Sequence, residues 1–361
     1  MSPVSQLDVS VLIATRDRAE LLGRTLESLA GQRTTARWEV IVIDNGGTDS
    51  TAQVLADFAP RLPLTSIYFP APGKNRALNR GLNIARGTLA LFTDDDIDLG
   101  PDWIESHFRA SEKFADDAIF GGPVVPRFES EPPDWMRRHW FAGVAFADFR
   151  PDQGEGPLHG KRLPCGGNLA IRRDLLRKHP YREDIGPGGT DFAMGSEQEL
   201  LVRLTAAGHR AIYIPDAAVS HHVGRGQLVN RWQFDRARRF GRGEARMAED
   251  AVSRRVLGIP WYFWVLMPLL WIRHQIARFQ GAFWVLQAGI EYHRLLGRAF
   301  EHRFLTRHPE LRCGTAPTEQ CGLGPVAHQF YTPIRGGDAY MRSVLVDAFE
   351  PDSPHDSHKP A

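Results

Sequence analysis

Short apolar runs alternate with helical patterns through the first hundred residues of the chain. Continuous apolar runs are typical of strands buried on both faces, whereas apolar residues three and four apart predict amphipathic helices. The predicted strands cover residues 9–14, 40–43, 65–69 and 88–93, the predicted helices cover residues 18–30 and 75–86, and a further helix begins near Asp49 or Ser50. This alternation predicts an α/β fold in which helices cover both faces of a mostly parallel sheet.

Carboxylates follow two of these predicted strands. Asp44 follows one strand, and Asp94, Asp95 and Asp96 follow another. The carboxyl ends of parallel strands lie at one edge of a sheet, and ligands collect there near the point where strand order reverses. Three adjacent carboxylates repel one another unless a cation lies among them, and a hard divalent ion bound to diphosphate oxygens would provide that cation. The alternative is an exposed acidic turn before a helix.

The second half of the chain has a different composition. Residues 121–189 are rich in Pro, Trp and Gly, and periodicity returns in a predicted helix at 197–207 and a predicted strand at 210–214. From Arg231 onward arginines cluster and long apolar stretches follow. We therefore predict a catalytic α/β domain at 1–230, a helical C-terminal extension at 231–347 and a disordered tail at 348–361.

One of these apolar stretches, residues 256–272, contains no charged residue and has arginines on both sides. It is at the short limit for crossing a bilayer and contains two prolines. Three interpretations stay open: a helix buried against the catalytic domain, an interfacial or re-entrant membrane contact, and a membrane span. Its Trp and Tyr residues are the aromatics favoured at a membrane interface, so a peripheral contact through residues 256–290 is among the expected partners.

The overall composition excludes several classes of protein. The chain is 42% apolar and 24% charged, as ordinary globular proteins are, and its net charge of +1 gives no reason to expect a nucleic acid partner. Three cysteines are too few for a disulfide framework. The first residues lack the basic region followed by an apolar region that a secretory signal peptide has. These features indicate the cytoplasm, with the inner face of the plasma membrane as the place of any peripheral contact.

Several segments match known motifs in order and spacing. They are SVLIATRDRAELLGRTLESLAGQ from residue 10, VIVIDNGGTDST from residue 40, ALNRG from residue 77, FTDDDID from residue 92, CGGNLAIRR from residue 165, GSEQELLVRL from residue 195 and VSHHV from residue 219. From about residue 8 to residue 222 the sequence resembles the family 2 inverting glycosyltransferases of the GT-A fold, in the nucleotide-diphospho-sugar transferase superfamily. It departs from the family pattern where Leu78 replaces the usual arginine, Ser196 the usual glutamate and Glu197 the usual aspartate.

The resemblance implies a metal-dependent transfer of a sugar from a nucleotide-sugar donor to a hydroxyl of a glycan, a glycolipid or another acceptor. The donor-binding residues that it implies are Thr15, Arg16, Asp44, Asn79, Asp94 and Asp95. Asp44 would accept a hydrogen bond from an imide N–H such as that of uracil, so a UDP-linked donor is expected, and Asp94 would hold the ribose. Asp96 would bind Mn2+ or Mg2+ together with His222 or its neighbour His221, because neutral imidazole is a common metal ligand.

Glu197 falls at the position of the family's catalytic base. An inverting transfer needs a carboxylate that removes the proton of the acceptor hydroxyl while that oxygen attacks the anomeric carbon from the face opposite the diphosphate. Glu199 lies elsewhere on the same predicted helix and is interpreted as structural. Glu199 and Asp191 are the next candidates for the base.

The acceptor side is predicted to contain Gly166, Gly167, Asn168 and Trp135. Glycines let the backbone approach a ligand closely, although a tight turn without a ligand fits the same pattern. Trp135 could stack on an acceptor sugar or bury a hydrophobic flap. A lipid-linked acceptor is expected only by analogy with family members, and the sequence identifies neither the sugar nor the acceptor.

Two other functions fit part of the pattern. A sugar nucleotidyltransferase also combines an α/β sheet with an acidic motif, but it needs a Gly-rich loop after the first strand, where this chain has ATRDRAE. A catalytically silent binding protein on the same fold would not need the carboxylates of Asp44, Asp94, Asp96 and Glu197, which are all present. The enzyme interpretation is therefore preferred.

Overall fold

The computed structural model describes residues 7–159, 162–189, 192–247 and 254–312. Its strands in chain order are β1 (Leu7–Thr15), β2 (Trp38–Asp44), β3 (Leu64–Tyr68), β4 (Gly87–Phe92), β5 (Ile97–Leu99), β6 (Ile119–Gly121), β7 (Val124–Phe128), β8 (Gly156–Pro157), β9 (Leu169–Arg172), β10 (Ala211–Tyr213), β11 (Val219–Val223), β12 (Arg255–Val256) and β13 (Ile259–Pro260). Asp191, residues 313–347 of the predicted extension and the predicted tail at 348–361 lie outside the described residues.

The helices surround these strands. In chain order they are α1 (Ala19–Ala30), α2 (Thr51–Phe58), α3 (Lys74–Ile84), α4 (Trp103–Lys113), α5 (Asp134–Arg137), α6 (Ala142–Phe146), α7 (Arg173–Lys178), α8 (Ser196–Ala206), α9 (Asn230–Met247), α10 (Phe263–Ala277) and α11 (Ala282–Leu305). The predicted elements of the first hundred residues are all present, and their ends differ from the predicted ones by one or two residues. Such differences are expected, because helix and strand ends fray.

Within the described residues, a central sheet of eight strands has the order β3-β2-β1-β4-β9-β6-β10-β8. β1 pairs in parallel with β2 on one side and with β4 on the other, so strand order reverses between β1 and β4. Only β9 and β8 run antiparallel to their neighbours in this sheet. The carboxyl ends of β1, β2 and β4 therefore meet at the point where α/β sheets bind their ligands.

Alternate residues of β1 face two hydrophobic clusters. Val9, Val11 and Ile13 pack with α1 and α4, whereas Leu12 packs with α3, α7 and α8 on the opposite face. This two-sided burial explains why the strands are continuously apolar in sequence. The predicted α/β class, with a mostly parallel sheet covered on both faces and a helical C-terminal extension, is confirmed.

Asn168 connects the central sheet to a second, three-stranded sheet of order β5-β11-β7. It is completely buried in the turn just before β9, and its Nδ2 donates to the carbonyl oxygens of Pro123 (3.0 Å) and Ala217 (2.7 Å). Its Oδ1 accepts from Trp103 Nε1 (2.8 Å) and lies 3.0 Å from His107 Nε2. The side chain that was expected on the acceptor side is thus fully occupied inside the protein.

The C-terminal extension packs closely on the rest of the molecule. Cβ atoms at Gly241 and Gly297 would lie 2.0 Å from the carbonyl oxygens of Arg294 and Arg238, so only glycine permits this contact between α9 and α11. A Cβ atom at Gly243 would lie 1.9 Å from a carbonyl oxygen of the loop before α8. The extension therefore supports that loop, although the division at residue 231 stays a prediction. Among the helices that the structure describes, none is both long and apolar enough to cross a membrane.

We expect Asn168→Ala to lower the free energy of unfolding by at least about 3 kcal/mol, because it leaves several buried polar groups without partners. Urea unfolding followed by circular dichroism measures this loss. Asn83→Ala, on the exposed side of α3, is the matched control and should change stability by no more than about 0.5 kcal/mol. Equal losses in the two variants would contradict the scaffold role of Asn168.

Candidate active site

Asp95 and Asp96 lie in the turn between β4 and β5 and are 5% and 8% exposed. Thr15 at the end of β1 donates from Oγ1 to one oxygen of Asp95 (2.7 Å). Arg18 donates from a single nitrogen, Nη1, to the other oxygen of Asp95 (2.7 Å) and to Asp96 Oδ2 (2.8 Å). Burial raises the pKa of Asp95, although Arg18 acts in the opposite direction. One arginine thus bonds to both carboxylates, and both oxygens of Asp95 accept hydrogen bonds from within the protein.

Asp96 faces a histidine of the second sheet. His221 Nε2 lies 3.6 Å from Asp96 Oδ2, and His221 Nδ1 lies 2.9 Å from the carbonyl oxygen of Phe146. Burial opposes ionisation of both groups, but their attraction outweighs it, so the pKa of Asp96 is lowered and that of His221 is raised; Arg18 also lowers the pKa of Asp96. Asp96 Oδ1 is buried and has no hydrogen-bond partner among the described residues.

The two adjacent histidines differ in their position relative to Asp96. Successive residues of β11 point to opposite faces of its sheet, so His221 and His222 cannot both face Asp96. His221 is the one whose ring lies beside Asp96, while His222 bonds to the same residue only through its backbone N–H (2.9 Å). Of the two histidines, His221 is thus the one placed to share a ligand with Asp96, and the assignment of a metal ligand stays a prediction.

Asp94 belongs to the same turn and lies near Gly167, whereas the neighbouring Gly166 lies near Glu197. Lys74, the first residue of α3, bonds to Asp94 Oδ1, and a Cβ atom at Gly167 would lie 3.6 Å from Asp94 Oδ2. A Cβ atom at Gly166 would lie 3.2 Å from the carboxyl carbon of Glu197. The Gly166–Gly167 turn thus borders both carboxylates, and only at Gly166 would a side chain press on one of them, Glu197.

Asp44 shapes a loop at the end of β2. Its Oδ1 accepts from the backbone N–H of Gly47 (2.7 Å), and the neighbouring Asn45 donates to the carbonyl oxygens of Phe69 (2.9 Å) and Ala71 (2.7 Å). Arg16 lies at the end of β1 with 55% of its side chain exposed. Both residues stand at the sheet edge that also carries Thr15, as the sequence predicts.

Asn79 and Trp135 are not among the residues that these contacts join. The amide of Asn79 donates to the carbonyl oxygen of Tyr181 (2.9 Å) and accepts from its N–H (3.1 Å), which links α3 to the segment after α7. Trp135 packs edge-to-face on Phe283 of α11, with ring centroids 6.0 Å apart. Asn79 is therefore used to hold two segments together, and Trp135 contacts the C-terminal extension.

Comparison with known proteins identifies the family. The model for glycosyl transferase family 2 matches residues 10–179, which include the acidic turn and the Gly166–Gly167 turn. Residues 10–179 are a family 2 glycosyltransferase domain. The family match favours the glycosyltransferase interpretation over the sugar nucleotidyltransferase one.

Several individual proteins are similar to this glycosyltransferase. Glycosyltransferase AglE of Haloferax volcanii is 24% identical over 269 residues, which cover 73% of this chain and 81% of that protein. Validoxylamine A glucosyltransferase of Streptomyces hygroscopicus is 37% identical over 105 residues, which cover 28% of this chain and 25% of that protein. A solved structure of the mannosyltransferase PcManGT from Pyrobaculum calidifontis, in complex with GDP-Man and Mn2+, is 21% identical with a TM-score of 0.49, over 96% of this chain and 88% of that one.

In the described part of the chain, three cations that sequence reasoning missed lie near the carboxylates of the candidate site: Arg18, Lys74 and Arg236. Arg236 belongs to α9 of the extension, and its Nε donates to the carbonyl oxygen of Val144 (2.7 Å). Burial lowers the pKa of Arg236 to about 10, against the attraction of Glu197, Asp96 and Asp94. Arg18 lies within the matched TRDRAE segment and could have been suspected, whereas no sequence signal places Arg236 near carboxylates more than thirty residues away.

Cys165 precedes the glycine turn but is not a nucleophile. Burial raises the pKa of its thiol to about 12, and the nearby Glu197 carboxylate adds to that shift. A thiol of such pKa is protonated at neutral pH, and the thiolate is the reactive form. Cys165 is therefore not among the candidate catalytic residues.

Gly166→Ala should lower turnover about tenfold or more, because the new methyl group would displace the carboxyl of Glu197 by a few tenths of an ångström. Initial rates of donor hydrolysis or sugar transfer measure this effect. Gly154→Ala is the matched control, since a Cβ atom there meets nothing within 4 Å. Unchanged turnover in Gly166→Ala would show that the closeness of this turn to Glu197 does not matter for catalysis.

Proposed function

We propose that this glycosyltransferase is inverting and metal-dependent, and that it moves a sugar from a nucleotide-sugar donor, expected to be UDP-linked, to a hydroxyl of a glycan or glycolipid. The observation that carries the proposal is the meeting of the Asp94–Asp96 turn with Glu197 across a glycine turn, at the point where strand order reverses. This arrangement offers an anion-rich edge for a cation-bound diphosphate and a separate carboxylate for the acceptor.

The donor would lie along the ends of β1, β2 and β4. Asp44 would accept a hydrogen bond from the imide N–H of the base, and Arg16 would lie at the rim of the base pocket. Asp94 would hold the ribose. Thr15 and Asp95 bond to each other, so we assign them to shaping the pocket rather than to direct donor contacts. The support is the position of all these residues at one sheet edge.

Glu197 would act as the general base. As the acceptor oxygen bonds to the anomeric carbon, Glu197 takes the hydroxyl proton, and the bond from that carbon to the diphosphate oxygen breaks with its electron pair on the leaving group. Attack from the opposite face inverts the anomeric configuration. Glu199 is completely buried and forms two bonds with Arg203 (3.1 and 3.0 Å), which supports Glu197 as the base over Glu199.

The residues around Asp96 fit a divalent ion that is bound together with the diphosphate. Asp96 Oδ1 is buried without a hydrogen-bond partner in the described part of the chain, and His221 lies beside the same carboxylate. No larger group of His, Cys, Asp or Glu side chains within the described residues is arranged to hold a metal. Two protein ligands suit Mn2+ or Mg2+, because Mg2+ usually binds through one or two carboxylates, substrate phosphates and water. When bound, such an ion would stabilise the negative charge on the departing diphosphate.

Arg18, Lys74 and Arg236 would place further positive charge near the diphosphate. Lys74 bonds to Asp94. Burial acts to lower the pKa of Lys74, but the attraction of that carboxylate is stronger, so the pKa is raised and the side chain stays charged. Fixed cations in a buried site stabilise developing negative charge more strongly than they would in water. These side chains would share the charge of the leaving group with the metal.

Glu197→Gln should lower kcat by about 10²- to 10⁴-fold while the affinity for the donor stays unchanged, because Glu197 acts only on the acceptor. Steady-state transfer rates and calorimetric titration with the nucleotide diphosphate measure the two effects. Glu197→Asp should retain more activity than Glu197→Gln, since it keeps a basic carboxylate. The matched control is Glu183→Gln, which changes a half-exposed carboxylate (50% exposed) and should leave both measurements unchanged. Weaker donor binding with normal kcat would assign Glu197 to the donor site instead.

Asp96→Asn keeps the size of the side chain and an oxygen that can accept from Arg18, but it removes the charge that a cation needs. Mn2+ should strengthen binding of the nucleotide diphosphate to the native protein, and this gain should shrink about tenfold or more in the variant. Titrations with Mn2+ and with EDTA separate the metal-dependent part from the rest. If the native protein binds the donor and turns it over equally well in EDTA, the metal proposal is wrong, and Arg18, Lys74 and Arg236 stabilise the leaving group by themselves.

A further inference from the structure

The outward side of α10 is apolar along its whole length. Its large exposed side chains are each 40–52% accessible to solvent: Trp264, Val265, Leu269, Trp271, Ile272 and Ile276. The opposite side of the helix, which includes Phe263, Leu266 and Leu270, is buried against α11 and the β12–β13 hairpin. A surface helix of a soluble protein normally turns charged or polar residues toward water, as α1 does with Glu20 and Arg24. The helix α10 does not.

The apolar surface continues beyond α10 at both ends. Leu257 in the hairpin before the helix is 70% exposed, and Trp264 is joined to this hairpin by a bond from Nε1 to the carbonyl oxygen of Val256 (3.2 Å). After the helix, Phe279 is 93% exposed, and Phe283 and Trp284 follow at the start of α11. We call the exposed apolar residues from 256 to 284 the aromatic face. A continuous apolar surface of this kind marks an interaction site.

The charged residues around the aromatic face favour one kind of partner over another. The sequence from residue 251 to residue 290 contains four arginines and no Asp or Glu. Arg254 and Arg278 are exposed next to the aromatic face, while Arg273 is paired with Glu291 (2.7 Å). A second copy of this chain would bring a surface of the same positive sign against it. An anionic lipid surface supplies the opposite charge together with an apolar interior.

The dimensions of α10 fit a helix that lies on a membrane. Its 15 residues span about 22 Å, whereas the hydrocarbon core of a bilayer is about 30 Å thick. The helix contains Trp264 and Trp271, and tryptophan is favoured at the boundary between headgroups and acyl chains. Interfacial helices bury one apolar side to about 5–10 Å depth and keep their flanking arginines among the headgroups.

We propose that the aromatic face docks on an anionic lipid bilayer, with α10 lying parallel to the membrane plane. The surface also leads toward the catalytic domain, because Phe283 packs on Trp135 and Gln287 of α11 bonds to His139. If the function proposed above holds, this position would present the acceptor side of the site to a lipid-linked acceptor at the membrane surface. The docking itself does not depend on glycosyl transfer.

The test is co-sedimentation of the full-length protein with phosphatidylcholine vesicles that either contain or lack phosphatidylserine. We expect binding to the anionic vesicles, and a loss of about tenfold or more in affinity when Trp271 and Ile272 are both changed to Ser. Arg278→Gln should weaken binding to the anionic vesicles about fivefold and leave binding to neutral ones unchanged. The matched control changes Ile84 and Val229, which are exposed elsewhere (39% and 54%), to Ser and should bind as the native protein does.

Two results would overturn the proposal. The first is recovery of the native protein only in the supernatant with both vesicle types, and the second is vesicle binding by the Trp271→Ser, Ile272→Ser variant equal to that of the native protein. Sedimentation velocity adds a further arm: a dimer that the double variant dissociates, without vesicle binding, would assign the aromatic face to a second copy. Donor hydrolysis, measured without lipid, should be unchanged in this variant, so a failure of docking is distinguishable from a failure of the proposed catalysis.

Discussion

The arrangement of the site depends on how the negative charges of three adjacent carboxylates at the end of β4 are compensated. Asp95 and Asp96 are almost fully buried, and buried charge is tolerated only where it is paired and hydrogen-bonded. The compensating groups come from different parts of the chain: Thr15 and Arg18 from β1 and the turn before α1, Lys74 from α3, and His221 from β11. Bringing these elements to the same turn fixes the relative positions of the central sheet, the helices beside it and the second sheet. The residues that compensate these charges therefore also determine how the elements around the site are arranged.

The first hundred residues were predictable because their signals are local. A parallel strand buried on both faces needs an apolar run, and the turn after it needs polar residues, so β1, β2 and β4 and their carboxylates could be found from sequence alone. Glu197 was predicted through a motif of adjacent residues. The pairing of His221 with Asp96 was not predictable in this way. It depends on the register of β11 against β5, in which His221 lies opposite Ile97, and a shift by one residue would exchange the two histidines.

Asn79 and Asn168 show a different limit of sequence reasoning. Both lie in segments that match the family motifs, and an asparagine in such a segment fits a ligand contact as well as a structural bond. The structure uses both amides for backbone contacts between distant segments, Asn79 with Tyr181 and Asn168 with Pro123 and Ala217. Only the fold shows that the carbonyl groups of Pro123 and Ala217 need a buried donor at that place. The amide at position 168 thus supports the Gly166–Gly167 turn beside it, which in turn borders Asp94 and Glu197.

The C-terminal helices connect the aromatic face to the loop that carries the proposed base. Gly243 of α9 approaches the carbonyl oxygen of Met194 so closely that no side chain fits, and the Met194 N–H bonds to the carbonyl oxygen of Arg239 (3.1 Å). Met194 lies three residues before Glu197, so α9 supports the loop that carries the proposed base. The same helix packs along α11, where Arg294 bonds to Glu244 (2.6 Å), and α11 packs on α10. The aromatic face and the loop that carries the proposed base are therefore joined through two helix contacts, α10 with α11 and α11 with α9. Docking of α10 on a membrane would therefore also orient the loop before α8, because α11 and α9 pack between them.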